Sequence, residues 1–188
     1  SGRCRLCTAG AGRAALCARM SACDQPALEA LAAEVGGLLS ANGQHLVTAE
    51  SCSGGWVAQC LTAIAGSSGW FDRGFVTYSN QAKIEMLGVP AATLATHGAV
   101  SEATAAAMAL GALRHSHADW ALAISGVAGP GGGSPSRPVG TVCFAWAGPD
   151  GRVETDTRHF PGNREAVRAQ SVGHSLACLR QLAASGLA

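Results

Sequence analysis

Two kinds of hydrophobic spacing alternate along this chain. Leu28, Leu31, Val35, Leu38 and Leu39 recur at the three-to-four-residue interval that lines one face of a helix. Asp24 is placed to cap that helix, Pro26 suits its first turn, and Asn42-Gly43 ends it. Gln44 to Thr48 then carries Leu46 and Val47 with no helical period and reads as a strand. Val57, Leu61 and Ile64 restore the helical interval as far as Ala65. Gly66-Ser67-Ser68-Gly69 reads as a loop and Gly74 to Tyr78 as a second short strand. Tyr78-Ser79-Asn80 signals a helix start, and Gln81 to Leu87 predicts a short helix closed by Gly88 and Pro90. Ser101 and Glu102 begin a longer helix with Ala105, Met108 and Ala112 on one face. Trp120 to Ile124 is the near-continuous apolar run of a strand buried on both sides. Val139 to Trp146, a turn at Gly148-Pro149-Asp150-Gly151, and Val153 to Phe160 predict a β-hairpin. A last helix covers Asn163 to Ala183, with Val172, Leu176 and Leu179 inward. Helices alternating with buried strands predict an α/β fold.

The 188 residues are enough to bury a real core, and 48% hydrophobic with 13% charged residues is a globular composition. A formal net charge of +1 gives no general attraction to nucleic acid or to acidic membranes, and 5% aromatics argues against a stacking platform for single strands. The sequence has no bilayer-spanning apolar run and no signal-peptide core, so a cytoplasmic location without membrane or nucleic-acid partners is expected. Eight cysteines form no disulfide framework: Cys4, Cys7, Cys17 and Cys23 fall early and the rest are dispersed. Cys4 and Cys7 make a CxxC with no second half at zinc-finger spacing, so no metal is expected. His115 and His117 read as surface residues. Residues 1–22 carry Arg3, Arg5, Arg13 and Arg19 without acidic neighbours or apolar period. Gly10, Gly12 and Ala15 match GxGxxA there with no strand before them. The segment reads as a basic disordered arm, an expression remnant, or sequence upstream of a start at Met20, with one folded domain over 23–188.

The stretch that carries chemistry is Thr48-Ala49-Glu50-Ser51-Cys52-Ser53-Gly54-Gly55, a strand end, a tight turn and a helix start. Backbone N–H groups at a helix start lack intrahelical acceptors and favour a carbonyl oxygen that becomes an oxyanion. Gly54 and Gly55 allow close approach to that backbone. Ser51 or Ser53 acting only as a helix cap is the alternative. A second candidate is the loop from Ser125 to Pro135, with five glycines and two prolines beyond the carboxyl end of a buried strand, where open α/β sheets bind ligands. Its spacing is neither a Walker pattern nor GxGxxG, and a surface linker is the other reading. Arg164 and Arg168 share a face at the start of the last helix, suited to a phosphate or to neutralisation by Glu165 and Asp156. Among 13 Lys and Arg residues only Lys83 is a lysine, and the single tyrosine, Tyr78, lies five positions before it. A lysine kept under that bias points to an amine that titrates, because arginine stays protonated.

These motifs, with Val76-Thr77-Tyr78-Ser79-Asn80-Gln81-Ala82-Lys83, His97-Gly98-Ala99-Val100-Ser101, Ser125-Gly126-Val127-Ala128-Gly129-Pro130 and Val139-Gly140-Thr141-Val142, resemble the CinA carboxy-terminal domain family over about Leu28 to Leu182. The resemblance implies a three-layer α/β sandwich, with a central sheet and helices on both faces. It implies a nicotinamide-nucleotide amidohydrolase that converts nicotinamide mononucleotide and water to nicotinate mononucleotide and ammonia in pyridine nucleotide salvage, without a cofactor. By the same resemblance Ser51 is the nucleophile, Tyr78 and Lys83 complete the catalytic set, Ser125 offers a ligand-facing hydroxyl, and Arg164 or Arg168 is the arginine of the last helix. Ser53 stands where many relatives have threonine, which keeps the hydroxyl. The amino-terminal domain that some relatives carry is not in this sequence, so it resembles the stand-alone form.

The expected site therefore has Ser51, Tyr78 and Lys83 as catalytic residues. Glu50, Cys52, Ser53, Gly54, Gly55, Ser125, Gly126, Ala128, Gly129, Arg164 and Arg168 bind a small-molecule nucleotide. Lys83, made neutral by burial, takes the Ser51 proton directly or through Tyr78, and backbone donors near Cys52 to Gly55 hold the oxyanion. Glu50 would oppose this if it paired with Lys83. Cys52 is the competing nucleophile, since a helix start lowers a thiol pKa. A non-catalytic nucleotide-binding module serving competence or damage response is the alternative function, and a homo-oligomer is left open.

Overall fold

The computed structural model describes residues 23–185. The segment 1–22, with its CxxC, its GxGxxA and Met20, lies outside the described residues. Helix α1 (Gln25–Ala41) starts where Asp24 accepts a hydrogen bond from Ala27 N, and it buries Leu28, Ala32, Val35 and Leu39. Strand β1 (Leu46–Glu50) is buried throughout. Then follow α2 (Trp56–Thr62), a 3-10 turn at Ser67–Gly69, β2 (Phe71–Val76), α3 (Asn80–Leu87), α4 (Ala91–His97) and α5 (Glu102–Arg114). The chain continues through β3 (Trp120–Gly126), β4 (Thr141–Ala147), β5 (Val153–His159) and α6 (Arg164–Ser185). Ser79 and Ser101 cap α3 and α5 by accepting from Ala82 N and Thr104 N.

The strands form one mixed sheet in the order β2-β1-β3-β4-β5. β2, β1 and β3 are parallel, so helices must carry the chain back between them, whereas β4 is antiparallel to both neighbours and makes a hairpin with β5. Alternation along the strands divides the core into two. Leu46, Leu122, Ile124, Phe144 and Trp146 meet α1, α2 and α6 on one face. Val47, Ala49, Ala121, Ala123 and Ala145 meet α5 and Leu87 of α3 on the other. The result is the three-layer α/β sandwich that the resemblance implied. The second face is built from small residues, which lets its helices come close: a Cβ on Gly111 of α5 would stand 2.1 Å from the Leu87 carbonyl oxygen.

Several boundaries differ from the sequence reading, among them β1, which runs Leu46–Glu50 rather than Gln44 to Thr48. β2 begins at Phe71 rather than Gly74 and ends at Val76, because it pairs with β1 from Leu46 onward. α2 stops at Thr62, short of Ala65, and the chain turns at Gly66, whose φ of 80° is left-handed. Ser125 and Gly126, which read as loop, extend β3 by pairing with Cys143 and Val142 of β4. Helix α4 is an addition that the hydrophobic pattern does not predict.

Candidate active site

Parallel register brings three strand ends to one edge. Glu50 ends β1 opposite Val76 of β2 and Ile124 of β3. Ser51 N donates to Ile124 O at 3.0 Å and Thr77 N to Glu50 O at 2.8 Å, so β1 and β2 leave the sheet together beside β3, which runs on to Gly126 along β4. Ser51, Tyr78 and Ser125 thus meet at the carboxyl edge, where open α/β sheets form crevices. The first turn of α3 adds Lys83, and the start of α6 adds Arg164. Together they line a cavity of about 190 Å³ whose wall also includes Cys52, Asn80, Ala99, Val100, Gly126 and Ala128.

Lys83 is 1% exposed, and its Nζ lies 3.0 Å from Ser51 Oγ and 2.7 Å from Thr77 O. Burial holds its pKa below the ordinary 10.5. The Cys52 thiolate would oppose that shift, but the thiol itself is pushed up to about 12, chiefly by burial. Near neutral pH Cys52 is therefore an uncharged thiol. This corrects the expectation that the helix start activates it: the tertiary burial of its side chain outweighs any effect of the turn.

The turn itself is held from both sides. Glu50, 1% exposed, turns its carboxylate under the start of α2: Oε2 accepts from Gly55 N at 3.0 Å and Val57 N at 3.1 Å, and Oε1 from Ala58 N at 2.9 Å. The cap of α2 is thus this carboxylate, not Ser51 or Ser53, and the N-cap position is Gly55 at φ 93°. Glu50 is engaged with these backbone donors and not with Lys83, so it does not hold the amine in its charged form. Gly54 N donates to Ser51 O at 3.0 Å, which leaves the N–H groups of Cys52 and Ser53 as those in the turn that make no backbone–backbone hydrogen bond among the described residues. The expected donor range of Cys52 to Gly55 narrows to those two.

The arginines divide their work. Arg164 donates to Gly129 O and to the Tyr78 hydroxyl, both at 2.7 Å. Arg168 donates to Cys52 O at 3.1 Å and Ser53 O at 2.9 Å and lies 5.2 Å from the centre of the Trp56 ring. Of the two alternatives for these arginines, neutralisation by Asp156 is not taken up, since Asp156 pairs with Arg158 and buried His174, and Glu165 is exposed on α6. Beside the cavity, and sharing Arg164 with it, runs a groove of about 790 Å³ lined by Gly54, Gly55, Trp56, Gln59, Asn163, Glu165 and Arg168.

Of the expected site, Ser51, Cys52, Tyr78, Lys83, Ser125, Gly126, Ala128 and Arg164 share the cavity, while Gly54, Gly55 and Arg168 sit in the groove. Glu50 and Ser53 are sealed beneath the turn, at 1% and 0% exposure, and line neither. Gly129 contributes its carbonyl to Arg164. Ser125 is 1% exposed and donates to Ala99 O at 2.7 Å. Tyr78 is 63% exposed, and its hydroxyl is bonded to Arg164 and not to Ser51 or Lys83, so it stands outside the direct Ser51 to Lys83 contact. Sequence reasoning misses the Thr77 carbonyl, which no side chain signals. It also misses Ala99 and Val100, which belong to a motif of the resemblance but carry no role there. Among the described residues no group of three or more His, Cys, Asp or Glu side chains is placed to hold a metal, and no helix is long and apolar enough to cross a membrane.

The pattern of the CinA C-terminal domain matches residues 28–183. The chain belongs to that family. It is 55% identical over 151 residues to the nicotinamide-nucleotide amidohydrolase PncC of Escherichia coli strain K12, covering 80% of this chain and 92% of that protein. It is 49% identical to the Pseudomonas putida protein of the same name, covering 81% and 94%. A CinA superfamily crystal structure from Klebsiella pneumoniae superposes with a TM-score of 0.81 at 46% identity, over 84% of this chain and 98% of that one. Membership of the CinA family thus rests on sequence and fold together.

Proposed function

We propose that the chain is a nicotinamide-nucleotide amidohydrolase that deamidates nicotinamide mononucleotide with Ser51 as nucleophile and Lys83 as general base. The observation that carries this reading is the buried contact between Lys83 Nζ and Ser51 Oγ at 3.0 Å, inside a cavity at the carboxyl edge of the sheet. The names borne by the bacterial relatives supply the substrate.

A neutral Lys83 accepts the Ser51 proton as Ser51 Oγ bonds to the carboxamide carbon, and the carbonyl oxygen takes up the displaced electron pair. The N–H groups of Cys52 and Ser53 stabilise that charge. Collapse breaks the C–N bond, and Lys83 returns the proton to the departing nitrogen, which leaves as ammonia. Water then gives a proton to Lys83 and its oxygen to the acyl carbon, and Ser51 recovers its proton as the ester bond breaks. Thr77 O, at 2.7 Å from Nζ, keeps the amine lone pair aimed at Ser51. Tyr78 and Arg164 form the rim rather than a relay.

A cavity of about 190 Å³ is smaller than the roughly 300–1,000 Å³ of whole small-molecule sites. It accommodates the carboxamide ring, and the ribose and phosphate extend past Arg164 toward the groove. The test is ammonia release from nicotinamide mononucleotide by wild type, Ser51→Ala and Lys83→Met proteins. Release by wild type alone supports the reading. A silent wild type whose melting temperature the nucleotide still raises would replace the enzyme with a binding module.

A further inference from the structure

We propose that Glu50 and Arg168 are positioning residues that clamp the nucleophile turn from opposite sides and so aim the Cys52 and Ser53 N–H groups as the oxyanion hole; the inference rests on the amidohydrolase reading. Glu50 grips the donor side. Its buried carboxylate takes the N–H groups of Gly55, Val57 and Ala58 and so ties the turn to the start of α2. Arg168 grips the acceptor side through the carbonyls of Cys52 and Ser53. In a planar trans peptide the N–H points opposite to the C=O. With Cys52 O fixed on Arg168, the Ser53 N–H is turned away from Arg168. With Ser51 O turned into the bond from Gly54 N, the Cys52 N–H is turned out of the turn.

The cavities agree with this division. Arg168 belongs to the groove, together with Gly54 and Gly55, while Ser51 and Cys52 belong to the small cavity, so the turn is the wall between them. The guanidinium suits this role because a planar fork reaches two successive carbonyls, and the Trp56 face fixes its plane. A lysine ammonium would keep the charge and lose the fork. Arg168 thus acts on the oxyanion through the backbone and not on the phosphate.

The test uses Glu50→Gln and Arg168→Lys in the full chain, with melting temperature as the folding control. Two readouts are taken: ammonia release from nicotinamide mononucleotide and from phosphate-free nicotinamide riboside, and the rate at which a fluorophosphonate labels Ser51, read by intact mass. We expect each variant to lose about 100-fold in kcat on both substrates, with little change in KM, and to be labelled correspondingly more slowly. An Arg168→Lys loss confined to KM, or to the phosphate-bearing substrate, overturns the clamp in favour of a phosphate ligand. Variants labelled as fast as wild type, or a wild-type Ser51 that does not react, also overturn it. A wild type that releases no ammonia yet is labelled faster than the variants keeps the clamp and discards only the substrate. Arg168 is only half-buried, so Arg168→Lys decides the matter even where Glu50→Gln does not fold.

Discussion

Lys83 Nζ and Ser51 Oγ, 32 positions apart in sequence, lie 3.0 Å apart in the interior, and the same amine donates to the Thr77 carbonyl. Neither partner carries a charge that would neutralise an ammonium, so burial shifts the amine toward its free form. Removing the amine should therefore remove general-base catalysis: Lys83→Met is expected to lose about 10²–10⁴-fold in kcat, measured as ammonia release. A variant with wild-type turnover would dismiss Lys83 from the mechanism.

The same burial fixes a pH dependence. Because the folded-state pKa of Lys83 lies below 10.5, activity should rise with pH to a midpoint below that value, and the midpoint should vanish in Lys83→Met. Stability follows the opposite logic from a salt bridge. The unfolded chain binds this proton more tightly, so Lys83 costs stability at neutral and acid pH, and the cost disappears as pH rises toward 10.5. Lys83→Met should melt higher than wild type at pH 7, with the gap closing in alkali. Thermal scans at about pH 7 and about pH 10 test this; a lower melting temperature at neutral pH contradicts it.

Cys52 adjoins the nucleophile but carries a thiol pushed up to about 12. Cys52→Ser should keep turnover within about threefold, and iodoacetamide at neutral pH should modify Cys52 slowly, because the thiolate is the reactive form. Loss of turnover in Cys52→Ser would move the nucleophile to sulfur.

Tyr78 separates a rim residue from a relay. Its hydroxyl accepts from Arg164 at 2.7 Å, and the ring is largely exposed. Tyr78→Phe should raise KM more than it lowers kcat, and should retain at least about tenfold more kcat than Lys83→Met. An equal loss in kcat would return the phenol to the proton path.

Local chemistry is legible in the sequence wherever its cause is local. Asp24, Ser79 and Ser101 stand as caps where side-chain spacing places them, and the Trp120 strand follows from its apolar run. Ser51 and Tyr78 fall at the ends of the first two expected strands and Lys83 five positions on, and the family resemblance is what joins the three. Helix α4 leaves no such trace, because only Leu94 of its seven residues is buried and it has no apolar stripe. The roles of Glu50 and Arg168 are hidden for a common reason. Their partners are backbone N–H and C=O groups, which nearly every residue has, so no residue type marks the contact. The state of the Cys52 thiol is hidden because its burial comes from packing between layers, which the turn does not encode.

The small-residue interface behind the site offers a test of how tightly Lys83 is placed. Gly111 of α5 faces Leu87 of α3, and Leu87 lies one turn after Lys83 on the same helix face. A Cβ at Gly111 would fall 2.1 Å from the Leu87 carbonyl oxygen and 2.9 Å from its carbon, both backbone atoms, so α3 must move as a body. Gly111→Ala should therefore destabilise the fold by about 1–3 kcal/mol through overpacking, despite the better helix propensity of alanine. A shift of about 1 Å at Nζ is enough to lower kcat by about 10²-fold with KM held. Gly37→Ala is the matched control: a Cβ there meets nothing within 4 Å, and the exposed helical position should gain about 0.5–1 kcal/mol with turnover unchanged. If Gly111→Ala instead melts with wild type and turns over at the wild-type rate, α3 is not what sets the position of the Lys83 amine.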